Sequence, residues 1–251
     1  MMTLIRAELL LSLAQMRRYF LNTILSLGVM VLFFYGLFYG ISLFVSAPLE
    51  GQNLSSLVLG FVVWTFVLGI LQGIAEDIQR EAVRGTLEQL AMSKYGLTTI
   101  LLVRSVLTVF VSLLPAGIIV AFLTLITGAE LEFRTGGLLA VAALGMGAMG
   151  LSLLMGALAL YFKDVSMLFT IVQFGFLPYV LAVRHWEGWM ALVPLAPSLY
   201  QVNTAFVLGG QVNAKLGALA FLNSGVLLVL GGAAFAYSLR LVRKRGNLAM
   251  Y

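Results

Sequence analysis

The residues able to do chemistry crowd into one stretch, Glu81-Ala82-Val83-Arg84-Gly85-Thr86-Leu87-Glu88-Gln89-Leu90. It is a polar island between two long apolar runs, in a chain with only 10% charged residues. Glu76 with Arg80, and Glu81 with Arg84, stand at ion-pair spacing on a helix. Gly85 is a good helix terminator because it accepts a left-handed conformation. Thr86 with Gln89 three residues on forms a capping box for a second helix, and Glu88 in its first turn suits the helix dipole. The expected product is a short helix from Leu87 to about Met92, bent away from the one before it. Its apolar residues Leu87, Leu90 and Ala91 are expected to face a groove or the bilayer. Spacing alone leaves two readings, a solvated linker with ordinary caps or a surface that another protein touches.

Nothing else in the chain points to catalysis. Cysteine is absent and His185 is the single histidine, so neither a metal centre nor Cys/His chemistry is expected. The serines and threonines have no credible base beside them. The phosphate-binding pattern G-x-x-x-x-G-K-[ST] is missing, which excludes ATP hydrolysis by that route. No catalytic residue, metal or cofactor is therefore expected in this chain.

The elements that must position the polar island are membrane helices. The chain is 61% hydrophobic with a mean hydropathy of +1.05, whereas a soluble domain carries about 25% charged residues. Long apolar stretches without an ionisable side chain are the sign of transmembrane helices. The net charge of +5 is then a matter of topology rather than of nucleic-acid binding.

Residues 1–20 mix leucines with Arg6, Glu8, Arg17 and Arg18. They read as an amphipathic helix lying in the cytoplasmic interface, or as a cytosolic extension of the first span. Spans are expected at about Leu21–Val45, Leu54–Ala75, Ser105–Thr127, Gly137–Phe162, Val165–Val183 and Gly217–Leu239. Pro48 and Glu50 lie in a short loop, and Arg104 stands at the start of the third span. Pro115 inside that span is tolerated where neighbouring helices re-satisfy the freed carbonyl. In the fourth span Ala148, Ser152 and Gly156 recur every four residues, as do Ala143 and Gly147, a stripe that lets helix backbones approach closely. Residues 184–216 are apolar but broken by Pro194 and Pro197, and neither half is long enough to cross a core of ~30 Å. Short re-entrant helices on the extracellular side are expected there. The fold class is thus all-α integral membrane, a single transmembrane domain of six spans over 1–251, with residues 76–96 as a cytoplasmic segment.

Orientation follows from Lys and Arg. With the N-terminus inside, twelve of the fifteen sit on the cytoplasmic side, against Arg134, Arg184 and Lys215 outside. Both termini are then cytoplasmic, in a multi-pass protein of the cytoplasmic (inner) membrane. None of the six assigned cores holds an Asp, Glu, Lys, Arg or His. Ion-coupled carriers usually need such groups, so uphill transport by this chain would draw its energy from a partner.

The string Glu-x-x-Arg-Gly-Thr-Leu-Glu-Gln-Leu at the end of the second span resembles the cytoplasmic signature of type-2 ATP-binding-cassette (ABC) transporter permeases. The layout of the whole chain is similar as well. The resemblance implies half of an exporter: two permease chains, the second a copy or a paralogue, each with a separate ATPase subunit that binds ATP and Mg. It implies that Glu81, Arg84, Gly85, Thr86, Leu87, Glu88, Gln89 and Leu90 carry the ATPase coupling. Arg17, Arg18, Lys163 and Asp164 are the secondary cytoplasmic contacts. The turn Tyr161-Phe162-Lys163-Asp164-Val165 is also similar to one in permeases that export polysaccharides, which keeps a lipid-linked glycan open beside a hydrophobic or amphiphilic cargo such as a drug, antibiotic, peptide or lipid. Phe33, Phe34, Tyr35, Phe38 and Tyr39 are placed to stack on sugars or to pack against neighbours and lipid. Tyr35, Tyr39, Gln72 and Gln173 are the candidates for a substrate path. A membrane scaffold or assembly factor without transport is the alternative from another class.

Overall fold

The structure, a computed structural model, describes residues 2–18, 20–44, 51–133, 135–162, 165–210 and 213–244. Helices dominate: α1 (Met2–Arg18), α2 (Phe20–Phe44), α3 (Gly51–Val83), α4 (Leu87–Met92), α5 (Gly96–Thr127), α6 (Thr135–Phe162), α7 (Ser166–Ala182), a 3-10 turn at Gly188–Leu192, α8 (Ala196–Phe206) and α9 (Ala214–Lys244). Five stretches are long and apolar enough to cross a membrane, Phe20–Gly40, Gly51–Val83, Gly96–Thr127, Gly136–Phe162 and Ala214–Lys244. The protein is a multi-span, all-helical membrane protein. Helix α7 is apolar but has 17 residues, which reach about 26 Å at 1.5 Å per residue.

Two contacts organise the bundle. Helix α3 is its axis, with a run from Leu57 to Trp64 that is buried throughout. Helices α6 and α9 form the tightest pair. A Cβ on Gly150 would lie 2.5 Å from the Leu227 carbonyl carbon, and one on Gly231 would lie 2.1 Å from the Gly150 oxygen. The small-residue stripe is thus a packing face, as its spacing predicted: Ala143, Ala148 and Ser152 are fully buried, and a Cβ on Gly156 would lie 2.4 Å from Ile74.

The segment between α7 and α9 is broken where the prolines stand. Leu195 takes a left-handed φ of 65° between Pro194 and the start of α8. Asn223 of α9 fixes this break, accepting from the Leu195 N–H at 3.0 Å and donating to the Ala191 and Val193 carbonyls at 3.0 and 3.1 Å. Helix α8 is buried along nearly its whole length, so it is part of the core of the bundle. Pro115 lies inside α5, as expected. That helix begins at Gly96, so Arg104 stands about two turns inside it rather than at its start.

The aromatic cluster of α2 packs inward. Phe34 is 1% exposed and meets Phe61 edge-on at 5.2 Å, while Phe33 stacks on Trp64 at 5.7 Å. Tyr35 is half-buried and Tyr39 exposed. Gln72 and Gln173 are half-buried, and the Gln173 carbonyl accepts the Trp64 indole N–H at 3.0 Å.

Candidate functional site

The polar island folds as a helix end, a glycine turn and a second helix. The Thr86 N–H closes onto the Glu81 carbonyl at 2.9 Å and the Gly85 N–H onto Ala82 at 3.0 Å, with Gly85 at φ +69°. A residue with a Cβ is strained in that conformation. Gly85→Ala is expected to cost about 1 kcal/mol, read as a lower unfolding midpoint of the detergent-solubilised chain.

Two expectations for this segment are corrected. The capping box does not form: Thr86 has helical φ and ψ and makes no side-chain cap to α4. Its hydroxyl turns back instead and donates to the Glu81 carboxylate, a charge-assisted bond, and its oxygen caps no N–H of α4. Glu81 in turn pairs with Arg104 at 2.8 Å rather than with Arg84: Arg104 of α5 is half-buried between the helices, whereas Arg84, one residue past the end of α3, is exposed. The Glu76–Arg80 pair is present at 3.6 Å, and Arg80 also reaches Asp77 at 3.3 Å.

The inner face of α4 is corrected as well. Leu87 is 2% exposed and packs with Ile74, Ile78, Leu97 and Leu101 of the protein's own core, with Leu90 and Ala91 against the same cluster. These residues anchor the short helix and leave no apolar face for a groove or the bilayer. What α4 and its turn present outward is Val83, Arg84, Gly85, Glu88, Gln89 and Met92, all exposed. Val83 and Met92, at 85% and 79% exposure, are the apolar points of this surface. An open depression of about 400 Å³ lies beside it, lined by Glu76, Gln79, Arg80, Val83 and Arg84. Of the secondary contacts, Arg17 and Arg18 end α1, and Lys163 and Asp164 lie outside the described residues.

The structure adds two residues that spacing could not join. Glu8 of α1 accepts from Arg104 Nε at 2.9 Å, and Arg104 Nη1 donates to Glu81 at 2.8 Å. The three side chains are 11%, 14% and 12% exposed. A chain of charge-assisted hydrogen bonds therefore runs from α1 through α5 and α3 to Thr86, the residue before α4. The signal for it was an isolated acid in one apolar run and an isolated base in another, since charged side chains are almost never buried unpaired. Glu81 accepts from both Thr86 and Arg104.

No family model, no curated protein and no solved structure matches this chain. Among the described residues no group of His, Cys, Asp or Glu could hold a metal ion. The geometry is suited to transmitting force: a short helix, packed on one side and bare on the other, preceded by Thr86, whose hydroxyl bonds to Glu81 in the ion-pair chain that joins α3, α5 and α1.

Proposed function

We propose that the chain is the membrane subunit of an ATP-driven exporter, the permease half of an ABC transporter energised by a separate ATPase subunit. The observation that carries this reading is the two-sidedness of α4. Its Leu87 face is locked into the bundle, while Glu88, Gln89 and Met92, with Val83 and Arg84 before the turn, form an exposed mixed surface of the kind that protein partners use. The likeness of Glu81–Leu90 to the type-2 permease signature supports the same assignment.

In this reading α7 is the fifth of six spans, the turn at Gly85 faces the cytoplasm, both termini lie inside, and the membrane is the cytoplasmic one. Two permease chains, copies or paralogues, pair with two ATPase subunits. ATP closes the ATPase pair and displaces α4. Because Thr86, Glu81, Arg104 and Glu8 are bonded in series, α4 cannot move without α3, α5 and α1, and the bundle opens outward as a block. The cargo is hydrophobic or amphiphilic. The aromatic residues Phe33 and Phe34 are spent on packing against Phe61 and Trp64, which weighs against a glycan path there.

Affinity purification from the native membrane is expected to retain an ATPase subunit whose hydrolysis responds to cargo. Glu88→Arg reverses one exposed charge without touching the core. Its unfolding midpoint should shift by no more than about 0.5 kcal/mol equivalent, while ATPase retention or stimulation falls at least tenfold, as for a charge reversed at a docked surface. A chain that purifies alone, with Glu88→Arg indistinguishable from wild type, would overturn the proposal and favour a scaffold.

A further inference from the structure

Two cavities meet end to end along α3. The first, about 240 Å³, is lined by carboxylates Glu8, Glu76, Asp77 and Glu81, guanidiniums Arg80, Arg84 and Arg104, and at its inner end Gly69, Gly73 and Thr108. The second, about 190 Å³, is apolar but dotted with the hydroxyls of Thr23, Ser26, Thr65 and Ser112 among Leu27, Met30, Phe66 and Ile119. Gly69 lines both. The groove exists because glycines replace side chains on the α3 face: a Cβ on Gly69 would come within 3.3 Å of the Ser112 hydroxyl, and one on Gly73 within 3.3 Å of Thr108. Helix α2 closes it on one side and is itself scarcely buried, at 6% of its apolar stretch.

Polarity is graded along this groove, from ionised groups through hydroxyls to hydrocarbon. Glu81 and Thr65 mark its ends on α3, about 24 Å apart at the helical rise. The charge at the polar end is one-sided. Arg104 is shared by Glu8 and Glu81, and Arg80 is shared by Glu76 and Asp77, so four carboxylates face three guanidiniums, of which Arg84 stands exposed at the rim. The surplus is negative, and a cation is the complementary head.

We propose that the groove between α1, α2, α3 and α5 binds an ammonium-headed amphiphile, its head beside Asp77 and Glu81 and its hydrocarbon tail between Met30, Phe66 and Ile119. As a cargo site this rests on the exporter reading; as a binding site it stands without an ATPase. The shared chemistry has two sources, an aminophospholipid of the bilayer or a free cationic amphiphile.

The chain has no cysteine, so Ser112→Cys provides a single thiol inside the groove, and Ser42→Cys, exposed on α2, one outside it. The full chain is placed in nanodiscs of phosphatidylglycerol and modified with a small methanethiosulfonate reagent. Dodecyltrimethylammonium at ten times its half-saturating concentration should slow modification at position 112 about tenfold by simple occupancy and leave position 42 unchanged. Dodecyl phosphate, with the same tail, should not protect. Protection when phosphatidylethanolamine is mixed into the nanodisc identifies the lipid as a source, and protection by the free amphiphile alone identifies the soluble class. Asp77→Asn in the Ser112→Cys background should keep the unprotected rate, showing the groove intact, and abolish the preference for ammonium over phosphate. Equal protection by both heads, protection by neither, or an Asp77→Asn variant that keeps the preference would overturn the proposal. Because no ATPase is present, such a failure leaves the docking role of α4 untouched.

Discussion

Arg104→Ala is expected to lower the unfolding midpoint of the purified chain sharply and to release its N-terminal helix. Arg104 holds Glu8 at 2.9 Å and Glu81 at 2.8 Å, and removing it strands two carboxylates that are each about nine-tenths covered. Breaking a buried pair from one side costs about 3–5 kcal/mol. The adjoining polar cleft lets water reach part of the cluster, which brings the expected loss to about 2–4 kcal/mol. The cost is that of an unpaired charge, so adding Glu8→Gln and Glu81→Gln to Arg104→Ala should recover most of it. Arg104→Lys keeps the charge but loses the fork that reaches two acids at once, and should fall between. Trypsin supplies an independent readout, since α1 ends in Arg17-Arg18 and cleavage there should accelerate once Glu8 loses its anchor. If Arg104→Ala unfolds within about 0.5 kcal/mol of wild type and trypsin cuts both alike, the ion-pair chain is not what holds α1.

Gly150→Val is expected to damage the bundle at least as much. Its new Cβ would meet the Leu227 carbonyl carbon at 2.5 Å, the Leu227 oxygen at 2.6 Å and the Leu228 nitrogen at 2.6 Å. All three atoms are backbone, so no rotamer relieves the contact. Helices α6 and α9 must separate, and the packing that substitutes for a hydrophobic driving force in lipid goes with them. Overpacking a core typically costs about 1–3 kcal/mol, and a clash against backbone belongs at or beyond the top of that range. Gly225→Ala on α9 has nothing within 4 Å of its Cβ and should be neutral or slightly stabilising through helix propensity. The pair is read by thermal unfolding in one detergent. Equal midpoints would show that the α6–α9 contact is not tight.

The long helices were legible because a membrane imposes a simple alphabet, uncharged runs closed by arginine, glycine or proline. Gly85, Pro194 and the stripe around Ala148 each marked a local event whose cause is a property of that residue type. The ion-pair chain was not legible, because Glu8, Glu81 and Arg104 are far apart in sequence and each had a plausible local reading: interruption, helix pair and span boundary. The orientation of α4 failed for a related reason. Six residues are too few for periodicity to reveal which face is covered, and Leu87 is claimed by Ile74, Ile78 and Leu101, whose positions only the tertiary fold supplies. Thr86 shows how a local rule is overridden when a carboxylate comes within reach of its hydroxyl.

The contrast between a thinly buried α2 and a backbone-tight α6–α9 pair has a consequence for how the chain is made. Helix α2 enters the bilayer ahead of α3 and the helices after it, and Phe34 is the only one of its described side chains that is fully buried, so it can wait in lipid at little cost. The partner that α6 requires is α9, which leaves the ribosome after it. Until Ala214–Lys244 is in place, Gly147 and Gly150 lack the Ser224 and Leu227 atoms that they pack against. The α6–α9 contact therefore forms only once α9 has been made, and a premature stop before α9 forfeits the contact that closes the bundle, whereas loss of α1 and α2 would leave that contact whole.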